Sequence, residues 1–443
     1  MGTLSSLKQQ PAVEAAFPDL YPSLGPQEAK IEANRCLYCF DAPCATACPT
    51  HIDVPTFIKK IASGNLRGSA HTILESNILA LSCSRACPVN VLCEGACVMH
   101  RYNRQPIQIG LLQRHAMEAF LASSEPLPPV ATGDSHPGRF AMIGAGPASL
   151  ACAAELARRG HHATVFDRRP LPGGLNTHGV AEYKLKAEDS LREIRLIERL
   201  GVEFHFEETV DPARLVQFEE LYDGIFLGVG LGAMHKLSIP GEDLEGVIDA
   251  LSLIAGYKTG SIDSVSDSVI IVGAGNTAID AAIAARRLGA KEVRMIYRRG
   301  EQDIPAFRFE YEHARAENVV FHWYRQPIAI VAERGRVAGM TVVPVSWEGK
   351  AMRLALEKKE TIACGMVVPA IGQSALAEFL GSARGLKFEN GLVQVDRSTG
   401  QTSHPRYFAG GDCVNGGREV VDAVADGKRA ALAMAAAREV AHV

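Results

Sequence analysis

The chain has 443 residues, enough for about three domains of ordinary size, and its composition, 47% hydrophobic and 22% charged, is typical of a globular protein. A net charge of −4 offers no basic surface, so nucleic acid is not expected as a partner. The longest apolar runs are interrupted by Gly, Pro, Asn or Ser, and no basic-then-apolar leader opens the chain. We therefore expect no membrane span, no secretion and a cytoplasmic location.

Residues 1–122 are predicted to form a mainly helical domain, because stretches such as "IGLLQRHAMEAFLA" carry apolar residues at helical spacing. Eight of the eleven cysteines lie in this part, between Cys36 and Cys97. Thiols stay reduced in a cytosolic protein, so a dense group of cysteines indicates metal binding rather than disulfides. The cysteines follow three runs: Cys36-x2-Cys39-x4-Cys44-x3-Cys48-Pro, Cys83-x3-Cys87-Pro and Cys93-x3-Cys97.

The intervals between these cysteines favour iron–sulfur clusters over zinc. Structural zinc usually takes two matched C-x-x-C hairpins, and this chain has only one. A run that ends in Cys-Pro is typical of bacterial ferredoxins, in which the last cysteine binds the other cluster. By that pattern Cys36, Cys39 and Cys44 bind one [4Fe–4S] cluster, and Cys48 binds a second. Counting cysteines alone offers Cys83 as the eighth ligand.

After a predicted Pro-, Ser- and Gly-rich linker over 123–138, short apolar strands alternate with helices, which indicates an α/β fold. Residues 140–169 and 269–299 repeat one pattern of strand, Gly-x-Gly turn, Ala-rich helix and strand. This is the dinucleotide-binding unit, used twice. We therefore predict a helical iron–sulfur domain followed by a two-dinucleotide-binding flavoprotein reductase fold. Its FAD-binding part covers 139–265 and 367–443, and its NAD(P)-binding part covers 266–366.

The first repeat is expected to bind FAD. Its glycine turn lets the backbone approach a pyrophosphate at a helix N-terminus, and Asp167 lies where a carboxylate can accept hydrogen bonds from a ribose. Ser149 replaces the third glycine of the fingerprint and is small enough for close packing between helix and strand. The residues of the turn that are expected to contact FAD are Gly144, Ala145, Gly146, Pro147 and Ala148.

The second repeat is expected to bind NAD(P)H. Arg298 and Arg299 stand where the first repeat has its carboxylate, and two arginines favour a 2′-phosphate, although NADH stays open. Ala278 replaces the third glycine here. The expected contacts are Ala274, Gly275, Asn276 and Thr277 in the turn, with Ala370, Ile371 and Gly372 in the later loop "PAIGQ".

A third strand, glycine turn and helix, "YFAGGDCVNGGREVVDAVADGKRAALAM", lies near the C-terminus. Asp412 is predicted to bind the ribityl chain of the flavin, and Gly411 lets the backbone come close. The loop "LGVGLG" (227–232) and "PAIGQ" are interpreted as the points where the chain crosses between the nucleotide domains. No cysteine pair follows Cys97, which argues against a flavin–disulfide reductase.

Nicotinamide delivers two electrons as a hydride, whereas an iron–sulfur cluster accepts one at a time, and flavin can do both. The combination predicts electron flow from NAD(P)H through FAD to the clusters. Because the hydride step requires stacking of nicotinamide on flavin, no catalytic side chain is predicted.

The whole pattern, from about Glu32 to Met434, resembles the electron-input half of dihydropyrimidine dehydrogenase, which is shared with the small subunit of glutamate synthase. The resemblance implies one cluster on Cys36, Cys39, Cys44 and Cys97. It implies a second on Cys48, Cys87 and Cys93, with Gln113 of "IGLLQRHA" as the fourth ligand in place of Cys83. It also implies that "PGGLNTHGVAEYKLK" contacts the flavin. The FAD contacts expected beyond the fingerprint are Gly174, Leu175, Lys184, Val210, Glu419 and Val420.

Gln113 and the long interval "CPVNVLC" favour the dihydropyrimidine dehydrogenases, since glutamate synthases tend to have Glu and a shorter interval there. "CEGACV" favours glutamate synthase, and Pro305 weakens the NADPH assignment because the family has an arginine there. The implied function is electron transfer to a separate subunit, carrying FMN and iron–sulfur clusters, that reduces uracil or thymine. The alternatives are a glutamate synthase small subunit, a stand-alone NAD(P)H:ferredoxin-type reductase, and a zinc-stabilised docking module on a flavin reductase.

Overall fold

The computed structural model describes residues 15–123, 125–127, 137–381, 383 and 385–441. The helices are α1 (Pro26–Asn34), α2 (Pro43–Thr46), α3 (Val54–Ala62), α4 (Leu66–Ser76), α5 (Ala80–Ala86), α6 (Ile109–Ala122), α7 (Pro147–Arg158), α8 (Leu175–His178), α9 (Ala187–Glu198), α10 (Pro212–Leu221), α11 (Ala250–Thr259), α12 (Asn276–Arg287), α13 (Arg308–Ala316), α14 (Ala377–Gly381), α15 (Asp412–Asn415) and α16 (Val420–Ala441), with 3₁₀ turns at Val98–Tyr102 and Glu301–Asp303.

The strands form two parallel sheets, an antiparallel unit and a small hairpin. They are β1 (Arg139–Ile143), β2 (His162–Phe166), β3 (Glu203–His205), β4 (Gly224–Leu227), β5 (Ser268–Val272), β6 (Glu292–Tyr297), β7 (Val320–Trp323), β8 (Arg325–Glu333), β9 (Arg336–Glu348), β10 (Ala351–Leu354), β11 (Glu360–Ala363), β12 (Met366–Pro369), β13 (Phe388–Glu389), β14 (Leu392–Val393) and β15 (Tyr407–Ala409).

The N-terminal helices share one hydrophobic core with the first sheet. Helix α3 begins after Asp53, whose carboxylate accepts a hydrogen bond from the Thr56 amide at 3.2 Å, and its apolar face buries Phe57 and Ile61. The same continuous core includes Phe140 of β1 and Val421 of α16. The helical domain is therefore packed against the first nucleotide-binding unit rather than connected to it only by a linker.

The first sheet has the order β15-β4-β1-β2-β3 and is parallel throughout. Its first four strands in sequence come from the segment before residue 228, and its fifth, β15, comes from the C-terminal segment. The chain thus leaves this sheet, builds the second unit and returns. This is the inserted arrangement predicted from the two fingerprints, and the predicted fold class is confirmed.

The second sheet has the order β12-β5-β6-β7 and is also parallel. The antiparallel strands β8, β9, β10 and β11 lie between β7 and β12 in the chain. One predicted boundary falls within a strand of this unit, and one helix that was predicted in the first FAD segment packs with it. The boundary at 366–367 lies inside β12, which pairs with β5. Helix α11, predicted within the first FAD segment, shares its core with α12 because Leu253 and Ile254 pack with Ile279.

The predicted crossing loops lie side by side. The Gly232 amide donates to the Ser374 carbonyl at 2.7 Å, and the His235 amide donates to the Gly372 carbonyl at 2.8 Å. Of the predicted linker 123–138, residues 124 and 128–136 lie outside the described part of the chain. Among the described residues, none of the helices combines the length and apolar character that crossing a membrane requires.

Candidate functional site

The first group of cysteines brings together the four thiols that the resemblance assigned to one cluster. Cys36 and Cys39 follow α1, Cys44 lies in α2, and Cys97 precedes the 3₁₀ turn at Val98–Tyr102. Burial raises the pKa of Cys36, and so do the nearby Cys39 and Cys97. Burial likewise raises the pKa of Cys44 to about 11, with further contributions from Cys36 and Cys97. These thiols are close enough to repel one another as thiolates, so a bound cationic group would stabilise them together.

The second group lines a small, partly open cavity. Cys48, Cys83, Cys87 and Cys93 all line it, together with Gln113. The side-chain hydrogen bond with Cys83, followed by burial and the neighbouring thiols, raises the pKa of Cys87 well above its usual range. Burial, followed by charge repulsion from Glu94 and Cys48, raises the pKa of Cys93. The donor set is sulfur with one amide oxygen, which fits an iron–sulfur cluster.

Gln113 and Cys83 are both positioned as possible fourth donors to this cavity. Gln113 is only 7% exposed although it lies on a helix that the sequence would allow to be a surface helix. Its Nε2 donates a hydrogen bond to the Ala80 carbonyl at 2.7 Å, so the opposite end of the amide carries the free carbonyl oxygen. Cys83 is 3% exposed and contacts Cys87.

Within residues 15–441 as described, no three side chains of His, Cys, Asp or Glu converge on a point where one metal ion could sit. Tetrahedral zinc needs its donors about 2.0–2.3 Å from a single centre. A cubane cluster occupies the volume between its thiolates, so its ligands need not converge in this way.

The first fingerprint forms the tight turn that was predicted between β1 and α7. Asp167 accepts a hydrogen bond from the Ala145 amide at 2.7 Å, which joins the end of β2 to the turn. Gly174 has a φ of +53°, and a Cβ there would lie 2.8 Å from the Cα of Gly146. Only glycine allows this approach, and it leaves the helix N-terminus at Pro147 open to a ligand. The cradle fits a pyrophosphate-containing cofactor.

Of the other predicted FAD residues, Gly411 lies beside this turn, since a Cβ there would be 3.2 Å from the Cβ of Ala148. Leu175 begins α8, and Val210 lies before α10 with its side chain 7% exposed. Gly411 and Asp412 lie at the start of α15, and burial raises the pKa of Asp412. Glu419 directly precedes α16, whose first residue is Val420.

Lys184 occupies a place that the sequence did not anticipate. Its Nζ forms an ion pair with Asp280 at 2.6 Å and another with Glu310. Burial alone would lower the pKa of Lys184, but the two carboxylates raise it, so the ammonium stays charged. Because Asp280 and Glu310 belong to the second unit, Lys184 ties the predicted flavin segment to the predicted NAD(P) domain.

The second fingerprint has the same tight geometry. Gly273 has a φ of +130°, and a Cβ there would lie 2.3 Å from the Ala370 carbonyl oxygen, so this turn lies against the predicted loop 370–372. Asn276 begins α12 and accepts a hydrogen bond from the Phe307 amide at 3.0 Å. Ala274, Gly275 and Thr277 complete the turn next to that loop.

Arg298 and Arg299 directly follow β6, and both are exposed. The Arg299 guanidinium lies 5.2 Å from the centre of the Trp347 ring, and the Trp347 indole N–H donates to the Arg298 carbonyl at 2.9 Å. Neither arginine forms an ion pair with a carboxylate in the described part of the chain. Two such cations at this strand end can bind a 2′-phosphate.

Two functional candidates were missed because their partners are distant in sequence. Glu193 of α9 is fully buried and accepts hydrogen bonds from the Leu81 and Ser82 amides at the start of α5. Arg85 of α5 donates to the Lys184 carbonyl at 3.0 Å. Helix α5, which carries Cys83, is therefore bonded to the flavin unit through both ends. No local sequence pattern indicates these contacts.

Comparisons with known proteins bear on the family of the chain. Residues 138–427 match the pyridine nucleotide-disulphide oxidoreductase family, and residues 13–125 match dihydropyrimidine dehydrogenase domain II, 4Fe-4S cluster. The glutamate synthase [NADPH] small chain of Halomonas elongata is 34% identical over 94% of this chain and 92% of its own length. The chain belongs to the pyridine nucleotide-disulphide oxidoreductases, in the family of the glutamate synthase small chains. It therefore has an iron–sulfur domain followed by an FAD- and NAD(P)-binding reductase.

Two further comparisons extend this result. The NADP(+)-dependent formate dehydrogenase subunit beta of Moorella thermoacetica is 33% identical over 89% of this chain and 59% of its own length. The structure of FprA from Mycobacterium tuberculosis in complex with NADPH covers 69% of this chain and 86% of FprA, with a TM-score of 0.55 and 19% identity. That likeness shows the shared fold. The relatives support the glutamate synthase alternative better than dihydropyrimidine dehydrogenase, which Gln113 had favoured.

Proposed function

We propose that this chain is the electron-input subunit of a multi-subunit oxidoreductase of the glutamate synthase type. It takes electrons from NADPH and passes them through FAD and two [4Fe–4S] clusters to a separate catalytic subunit. The 34% identity to a glutamate synthase small chain over nearly the whole of both proteins supports the class of partner. When bound, FAD converts the two-electron delivery of NADPH into single-electron steps.

One observation carries the electron route. The cavity lined by Cys48, Cys87 and Cys93 is also lined by Val421, the second residue of α16. The preceding residue, Val420, is an expected FAD contact. The second cysteine group therefore adjoins the proposed flavin site, and the first group lies next to it, since Cys44 is close to Cys93. This order supports transfer from flavin to the second cluster, then to the first, and out to the partner.

The experiment is co-expression of this chain with a glutamate synthase large chain, followed by anaerobic assay of NADPH oxidation. We expect oxidation that depends on 2-oxoglutarate and glutamine together. The same holoenzyme tested with uracil or thymine is the matched control. Oxidation that depends on uracil instead would replace the glutamate synthase assignment by the dihydropyrimidine one. Unchanged oxidation with both would favour a stand-alone reductase.

The second candidate function is the electron-input subunit of a dihydropyrimidine dehydrogenase, whose partner carries FMN and iron–sulfur clusters. Its support is Gln113, a buried amide at the cavity wall at the position where that family has a glutamine ligand. Gln113→Ala and Cys83→Ala test the ligand directly, by iron content and cluster EPR of the reduced protein. Loss of one cluster in Gln113→Ala alone supports the amide ligand. Loss in Cys83→Ala alone assigns the thiol.

A further inference from the structure

Asn77 is a buried asparagine with one half of its amide unused. It follows α4 and is 1% exposed. Its Oδ1 accepts a hydrogen bond from the Leu79 amide at 2.9 Å, which fixes the plane and orientation of the side chain. Its Nδ2 is fully buried and has no hydrogen-bond partner among the described residues. A buried donor without an acceptor destabilises a fold, so Asn77 indicates an acceptor other than the described residues of the chain.

The acceptor can be located from the surroundings of Asn77. Asn77 lines the same cavity as Cys48, Cys87 and Cys93. Since Oδ1 is held by the Leu79 amide just before α5, the Nδ2 end of the amide is the part left for that cavity. The cavity wall is otherwise mainly apolar or thiol-bearing, with Ile52, Val89 and Leu92 among its residues. A donor in such surroundings suits a sulfur-rich, negatively charged group.

We propose that Asn77 Nδ2–H donates a hydrogen bond to a sulfur atom of the cluster held by Cys48, Cys87 and Cys93, and thereby raises the reduction potential of that cluster. The proposal rests on the proposed second cluster. Hydrogen bonds to cluster sulfurs are one of the factors that set such potentials. Reduction adds negative charge that the sulfurs share, so the bond is stronger in the reduced form and favours it. Asn77 thereby makes this cluster a better acceptor for electrons from the flavin side at Val421.

The test is a redox titration of the reconstituted full chain, followed by EPR, with two variants. Asn77→Asp keeps the acceptor for the Leu79 amide but removes the donor, and Asn77→Leu removes the donor without adding charge. We expect both to lower the midpoint potential of one cluster and leave the other unchanged. Asn65→Asp, at an exposed helix start whose oxygen accepts from the Gly68 amide, is the matched control and should change neither potential. Two clusters with wild-type potentials in Asn77→Leu would overturn the proposal.

A second measurement avoids dependence on how well the variants fold. Wild-type chain grown with asparagine labelled with ¹⁵N at Nδ2 should show a ¹⁵N hyperfine coupling to the reduced second cluster in pulsed EPR. A second-cluster signal without that coupling would overturn the role of Asn77 and leave the proposed function intact. Iron analysis and EPR that reveal no second cluster in the wild type would overturn both.

Discussion

The contact between Glu193 and helix α5 predicts that substitution of Glu193 will ease local opening where the iron–sulfur and flavin parts of the protein meet. The Glu193 carboxyl accepts from the Leu81 amide at 2.6 Å, from the Ser82 amide at 3.0 Å and from the Ser82 hydroxyl at 2.5 Å. All three groups are buried. Glu193→Ala leaves two buried amides without an acceptor. Each unsatisfied amide destabilises by about 1–3 kcal/mol, so local opening at the start of α5 should become easier by about 2–6 kcal/mol.

Native-state hydrogen exchange measures this opening directly. A change of about 2–6 kcal/mol corresponds to exchange at Leu81 and Ser82 that is about 30- to 25,000-fold faster in Glu193→Ala. Glu188→Ala, on the same helix but with a side chain 48% exposed, is the control and should leave both amides protected. Unchanged protection of Leu81 and Ser82 in Glu193→Ala would show that α5 is held by packing alone.

The same carboxyl predicts a pH dependence. Burial raises the pKa of Glu193 from 4.5 to about 8, although the bonds from Leu81 and Ser82 oppose this. The folded state therefore binds a proton that the unfolded state releases between these values, and the contribution of Glu193 to stability is complete below pH 4.5 and is lost as the pH rises through about 8. The expected slope is up to about 1.4 kcal/mol per pH unit. Exchange corrected for its intrinsic rate should show this slope at Leu81 in the wild type, and a similar slope in Glu193→Gln would refute the assignment.

Two further predictions concern the nucleotide sites. Arg298→Ala and Arg299→Ala should each raise the KM for NADPH about tenfold or more, since a charge-assisted hydrogen bond contributes about 1.5–3 kcal/mol. The KM for NADH should not change in these variants, and the exposed control Arg397→Ala should change neither KM. An equal effect on both coenzymes would contradict a 2′-phosphate site. Gly427→Ala places a Cβ 2.0 Å from the Ala148 carbonyl oxygen, so it should destabilise the protein by about 1–3 kcal/mol and weaken FAD retention. Thermal unfolding and flavin absorbance measure the two effects. The control Gly381→Ala, which has open space around it, should cause neither.

The two nucleotide-binding units could be predicted because their requirements are local. A glycine turn between a strand and a helix is specified by consecutive residues, so the turns at Gly144 and Gly273 appear in the structure where the repeats were read. The return of the chain to the first sheet was also predictable, since β15 is followed by its own glycine turn. The boundaries of the second unit were harder to predict from the sequence. Helix α11 carries no signal of which sheet it packs against, and only the contact of Leu253 with the core around α12 decides it.

For the cysteine runs too, part of the site could be predicted from the sequence and part only from the tertiary structure. Their spacing alone indicated iron–sulfur chemistry and separated Cys48 from the three cysteines before it, because ligand intervals are a property of consecutive residues. The family resemblance implied that Cys97 joins Cys36 and that Gln113 joins Cys87, and the structure brings these residues together. Only tertiary structure placed Asn77 beside Cys87 and Glu193 at the start of α5. These pairings join helices far apart in the sequence through buried polar atoms. Such contacts depend on how the helices pack, and no local pattern of residues encodes them.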